Sequence, residues 1–212
     1  MSRSLPTDMP GPDLRVGVDD VRAKGWSALF APDVEAALPL VVEIGFGRGE
    51  YLRALAAGAP GVAHVGVDLS HRRVFKMARR LAKTEERNVR LVEARAEEFV
   101  RDALVPESVA AFWINFPDPW PKKRHHRRRL LQPRFVAALA DRLVPGGVLH
   151  AATDHVGYAE QIDAVLSAGP GLENAFPAPW LPEVPDRLRT AYEEMWRAEG
   201  RALHFFQYRK PV

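Results

Sequence analysis

The chain has 212 residues, 47% of them hydrophobic, which is enough for one domain with a full core. It contains no cysteine, which excludes a disulfide framework and any thiolate metal site and is compatible with the cytosol. The net charge is +3, yet residues 122–129, KKRHHRRR, hold six positive charges and no acid, so the remainder carries −3; the basicity reads as focused, the electrostatic footprint of a polyanion-binding patch.

Residues 1–20 are rich in Pro, Gly and charge and read as a loose tail. Their opening, MSRSLPTDMPGPDLR, lacks the apolar run of a signal peptide. No stretch approaches the roughly 18 consecutive apolar residues of a membrane span. The expectation is a cytoplasmic protein with a flexible tail and leading segment over 1–35, then a single domain over 36–212.

From residue 40 an alternating pattern begins. PLVVEIG predicts a buried strand, EYLRALAAG a helix that stops at Gly58, and VAHVGVD a second strand ending in Asp68. RRVFKMARRLAKTEE predicts an amphipathic helix with Val74, Met77, Ala78 and Leu81 on one side, and VRLVEA a third strand. AEEFVRDAL predicts a helix, VAAFWINF a fourth strand, and PRFVAALADRL a helix with proline at its first position. VLHAATD predicts a fifth strand and YAEQIDAVLSAG a helix stopping at Gly169. PGLENAFPAPWLPEVPDR, with five prolines, must be a loop. TAYEEMWRAEG predicts a short helix, and RALHFFQYRK a strand that could pair antiparallel on the sheet edge.

Strand–helix alternation with continuous apolar strands means a parallel sheet covered on both faces, an α/β fold. Glu43, Asp68, Asp118 and Asp154 fall at the C-terminal ends of strands, the edge where open α/β sheets bind ligands. Acids there also serve as helix caps. Four on one edge favour a site.

VVEIGFGRGEY puts Gly45, Gly47 and Gly49 on the first strand–helix turn, where glycine lets backbone turn sharply and approach a ligand. The dinucleotide pattern G-x-G-x-x-G would need glycine at 50; Glu50 stands there, and a negative charge beside a pyrophosphate is unfavourable. Glu43 suits a ligand with a cationic portion. S-adenosylmethionine has an ammonium and a sulfonium and no phosphate, and Asp68 is placed to accept from ribose hydroxyls. The stretch E-x-G-x-G-x-G resembles motif I of the Rossmann-like class I methyltransferases, which implies a mostly parallel seven-stranded sheet with helices on both faces.

Strand four runs into FPDPWPKKRHHRRRLL. Prolines on both sides of Asp118 restrict its backbone and would hold the carboxylate at a fixed distance from a methyl donor. Trp120 is placed to stack on a base. The cations that follow would hold a phosphate backbone and lead a nucleotide to the acid. His125 and His126 lack a metal-ligand pattern and read as surface or RNA-facing.

Together, EIGFGRG, FPDPWPKKRHHRRRL, ATDHVGYAE and TAYE resemble the bacterial single-chain tRNA (guanine-N7)-methyltransferase family over about residues 38–210. The resemblance implies that Glu43, Gly45, Gly47 and Asp68 bind S-adenosylmethionine, with no metal. It implies that Asp118 sits at the catalytic centre and also contacts the cofactor. Lys122 and Asp154 would contact the substrate nucleotide, Arg124, His125, His126, Arg127, Arg128 and Arg129 the tRNA, and Thr190 and Glu193 the target guanosine, at tRNA position 46. No obligatory protein partner is implied. The family's adenine-contacting acid aligns with Arg95, so Glu97 or the backbone of Ala96 are the alternatives. TAYE also fits a capping box, with Thr190 as N-cap and Glu193 reaching back.

Overall fold

The computed structural model describes residues 9–31, 33–35, 38–169 and 171–212; the first eight residues of the expected tail lie outside them. Strands β1 (Leu40–Ile44), β2 (His64–Asp68), β3 (Val89–Glu93), β4 (Val109–Asn115), β5 (Leu143–Thr153), β6 (Glu173–Asn174) and β7 (His204–Arg209) form one seven-stranded sheet in the order β3-β2-β1-β4-β5-β7-β6. The first five run parallel, and β7 is antiparallel to both β5 and β6. The apolar runs that announced β1 to β5 are continuous because helices cover both faces, and every residue of β2 is buried.

Helices α2 (Glu50–Gly58), α3 (His71–Leu81), α4 (Ala96–Asp102), α5 (Pro133–Arg142) and α6 (Val156–Ser167) make the connections between and after the parallel strands. On one face Leu52, Val74, Met77 and Leu81 pack with Phe46 and Leu91. On the other, Phe99, Phe135, Leu139, Tyr158 and Ile162 pack on Val42, Phe112 and Leu149. Each fully buried side chain of this kind is worth about 1.5–3 kcal/mol.

Two expectations need correction. The segment 1–35 is not a flexible leader throughout: α1 (Val18–Phe30) buries Val21, Trp26 and Phe30 in the main core. Trp26 donates its indole N–H to the carbonyl of Ala103 at 2.7 Å, and the buried Arg90 pairs with Asp33 at 2.6 Å. Ahead of it, Leu14 and Val16 exchange backbone hydrogen bonds with Leu91, extending the sheet beyond β3. The helical pattern was hidden because Gly25, at φ 73°, breaks the helix and resets its register. Second, β7 is antiparallel but not at the edge. The proline-rich loop contributes β6 outside it, pairing Glu173 with Arg209 and Asn174 with Tyr208. The last helix is α7 (Ala191–Ala198), just before β7.

Candidate functional site

A cavity of about 390 Å³ opens at the C-terminal edge of β1, β4 and β5. It brings together Glu43, Gly45, Gly47, Asp118, Asp154 and Thr190. Among the described residues no cluster of His, Cys, Asp or Glu could hold a metal, and no helix is long and apolar enough to cross a membrane.

Glu43 forms the floor. It is 2% exposed, and its Oε2 has no hydrogen-bond partner. Burial pushes its carboxyl up to about 7, against the opposing pull of the Asn115 amide, the Leu52 backbone N–H and the Arg187 guanidinium. A buried carboxylate oxygen without a donor is costly unless a ligand supplies one. Above it the chain turns through Gly45 and Gly47, at φ 75° and 57°, a conformation in which L side chains are strained. A Cβ at Gly45 would meet nothing within 4 Å, so the turn faces open space. An unsatisfied acid beneath a bare backbone cradle fits an ammonium-bearing nucleoside such as S-adenosylmethionine.

Asp68 sits beneath this turn and does not line the cavity. Its Oδ2 accepts from the backbone N–H of Gly47 at 3.1 Å, its Oδ1 from that of Ser70 at 2.8 Å, and Arg73 approaches at 3.5 Å. It braces the turn. Arg95 is not among the residues lining the cavity: it occupies the N-cap position of α4, and its exposed side chain lies 4.0 Å from Glu97.

Asp118 is exposed at the cavity mouth. The loop holding it is fixed by more than its prolines. Phe116 and Trp120 both adopt positive φ, 52° and 43°, which costs about 1–3 kcal/mol each unless the surroundings enforce it. Arg129 supplies that enforcement. Grouped by sequence with the arginines expected to contact RNA, it is instead 2% exposed and turned inward. It donates to the carbonyls of Pro119 and Gly157 and to Oε1 of Gln161, all at 2.8 Å, clamping the loop to α6.

Lys122 is exposed and precedes a 3-10 helix over Lys123–Arg128. Arg124, Arg127 and Arg128 are exposed, and His125 and His126 half-buried. Trp120 is partly occupied: the Arg128 guanidinium lies 5.0 Å over its ring, and His125 packs edge-on at 5.8 Å. This basic segment flanks the cavity rather than lining it.

Thr190 caps α7, its Oγ1 accepting from the backbone N–H of Glu193 at 2.9 Å. The other half of the capping box is replaced. The buried Glu193 carboxylate accepts from Arg187 at 2.5 Å and from Arg197 at 3.1 Å. Arg187 also donates to Oδ1 of Asn115 at 2.6 Å, and Asn115 donates in turn to Glu43 Oε1 at 3.3 Å. A continuous chain therefore runs from Glu43 through Asn115 and Arg187 to Glu193. Asp154 is also engaged: Arg201 pairs with it at 3.0 Å across the cavity wall.

Sequence reasoning missed Asn115, Arg187, Arg201 and Trp196; Trp196 and Tyr192, the latter inside the TAYE stretch, add an aromatic wall to the cavity. Asn115, a polar residue ending an apolar strand, carried the same signal as Glu43 and Asp68. The others lie in or beyond the proline-rich loop, where no local pattern marks them.

A family model described as "Putative methyltransferase" matches residues 37–206. The tRNA (guanine-N(7)-)-methyltransferase of Bordetella pertussis is 44% identical over 175 residues, covering 79% of this chain and 68% of that one. Among solved structures, an aminoglycoside resistance methyltransferase, NpmB1, shares 14% identity at a TM-score of 0.60, covering 91% of this chain and 93% of that one. A 16S rRNA (adenine(1408)-N(1))-methyltransferase from Catenulisporales acidiphilia, solved with its cosubstrate SAM, shares 17% at 0.58, covering 86% and 90%. At such identities these two likenesses establish the fold, that of Rossmann-like class I methyltransferases.

Proposed function

Because the chain belongs to the tRNA (guanine-N(7)-)-methyltransferase family, we propose that it methylates N7 of a tRNA guanosine, the variable-loop guanosine at position 46, with S-adenosylmethionine as donor. The observation that carries this is the meeting, in one cavity, of the unsatisfied Glu43 carboxylate and bare glycine turn with Asp118, beside an exposed basic segment.

When bound, the donor supplies an electrophilic methyl group on a sulfonium. Glu43 would take the donor's ammonium, and Gly45 and Gly47 would pack against it on a turn that Asp68 braces from beneath. Guanine N7 has an in-plane lone pair and no proton, so no base is needed to expose it. The protein's tasks are alignment and electrostatics. The purine gains positive charge as N7 is alkylated, and the Asp118 carboxylate, held by its strained and clamped loop, offsets that charge. Asp154 and Thr190 would orient the base, and Lys122, Arg124, Arg127 and Arg128 would hold the phosphates. The reaction takes place in the cytoplasm, on tRNA, with no obligatory protein partner.

The test is to incubate the protein with unmodified tRNA and methyl-labelled donor and to map the modified base chemically. Label at N7 of guanosine 46 is expected. Label on another base, or none, contradicts the reading.

A further inference from the structure

The segment 122–129 is not the protein's only concentration of positive charge. Helix α3 and the turn after it read HRRVFKMARRLAK, with six cations, Arg72, Arg73, Lys76, Arg79, Arg80 and Lys83, and no acid. The charges are interleaved with the apolar residues that face the sheet, so they form a face and not a run. Val74, Met77, Ala78 and Leu81 are buried, while Arg72, Arg73, Lys76, Arg80 and Lys83 are exposed.

This arrangement works against the helix. Arg72 and Lys76, and Lys76 and Arg80, are like charges four residues apart, which repel. Arg72 and Arg73 also sit in the first turn, against the helix dipole. Helices α4 and α7, by contrast, interleave signs: α4 carries Glu97, Glu98, Arg101 and Asp102, and α7 carries Glu193, Glu194 and Arg197. Among the described residues Arg72, Lys76 and Lys83 make no ion pair. The face from residue 72 to 83 is about 16 Å long at the helical rise, enough to follow several phosphates of one strand. It exposes no apolar side chain, and so lacks the aromatic or aliphatic anchor of a protein interface.

Its position ties it to the cleft. Arg73 lines the cavity, and Arg80 donates to the carbonyl of Arg48 on the glycine turn at 2.9 Å. Pro117 to Pro119, which lead into the basic 3-10 helix, line the cavity from the β4 side. Two cationic surfaces therefore border one cavity from different strands of the sheet.

We propose that the α3 face is a second phosphate-binding surface, on which the tRNA backbone away from the target nucleotide lies, so that the RNA spans the cleft. This rests on the tRNA-methylating reading above.

The test compares the wild-type protein with Arg72→Ala/Lys76→Ala/Lys83→Ala in tRNA binding across a salt series. Each lost phosphate contact should lower the slope of log affinity against log salt by roughly 0.7–0.9. A drop of about two units is expected, with S-adenosylmethionine affinity unchanged and the melting temperature unchanged or raised as repulsion is relieved. A charge-conserving variant, Arg72→Lys/Lys76→Arg/Lys83→Arg, should keep the wild-type slope. A wild-type slope in the alanine variant, from a protein that still methylates tRNA, overturns this proposal alone. A wild-type protein that fails to bind tRNA overturns it together with the reading it rests on.

Discussion

Asn115 donates to Oε1 of Glu43 at 3.3 Å and accepts from Arg187 at 2.6 Å, so one amide joins the floor of the cavity to the ion pair behind it. Only this orientation of the amide satisfies both neighbours: its N–H faces a carboxylate and its carbonyl a guanidinium.

The raised pKa of Glu43 sets a pH dependence. A carboxyl held at about 7 in the fold binds its proton more tightly than in the unfolded chain. Its contribution to stability therefore falls as pH rises from the ordinary carboxylate range to about 7, by on the order of 3 kcal/mol in full. Glu43→Gln should remove this slope, so the variant gains stability over the wild type between pH 5 and pH 8 in denaturant titrations. For the donor the sign is opposite. Its ammonium favours ionised Glu43, so S-adenosylmethionine affinity should rise with pH up to about 7. Glu43→Gln should bind it at least about tenfold more weakly, with that dependence gone. Calorimetric titration at several pH values reads both, and a pH-independent affinity in the wild type would sink the assignment.

The Arg187–Glu193 pair is buried, at 8% and 3% side-chain exposure. Removing one partner of such a pair strands the other and costs about 3–5 kcal/mol. Arg197 still reaches Glu193, so Arg187→Met should lie near the lower end. The double variant Arg187→Met/Glu193→Met should recover much of the loss. Equal destabilisation by the single and double changes would show that packing, not the stranded charge, dominates.

Arg127 and Arg129, two residues apart, should behave differently. Arg127→Ala should reduce the salt slope of tRNA binding by roughly 0.7–0.9 and leave the melting temperature unchanged. Arg129→Ala removes three part-buried hydrogen bonds from a charged donor, each worth up to about 1.5–3 kcal/mol, and should lower the melting temperature. Matching profiles for the two variants would refute the division between clamp and contact.

Asp118→Asn should slow methyl transfer at saturating donor and tRNA by about 100-fold or more, the scale seen when one preorganised electrostatic group is removed. Since N7 carries no proton, the wild-type single-turnover rate should show no base-catalysis limb near neutral pH that depends on Asp118. A limb that disappears in Asp118→Asn would assign it a proton-transfer role instead.

The parallel half of the sheet was legible because each strand is a short apolar run ending in a polar residue, a pattern local to a few positions. The same local signal marked Glu43, Asp118 and Asp154. Helix α1 was not legible, since Gly25 breaks its period, nor was the interior place of β7, since β6 is two residues long and lies in a proline-rich loop. Arg187 and Arg201 have partners 72 and 47 positions away, a distance no local pattern spans. The inward turn of Arg129 was masked by its neighbours: within a run of like residues, sequence does not separate the one that packs. The α3 charges escaped a search for basic runs because helical spacing scatters them.

In the proposed reaction the cavity delivers a methyl group to N7 of the target guanosine. The most direct test is single-turnover transfer to tRNA carrying 7-deazaguanosine at position 46, where a C–H replaces N7. The account predicts label in unsubstituted tRNA and none in the substituted one, at comparable affinity for both. Equal incorporation into the two would contradict it.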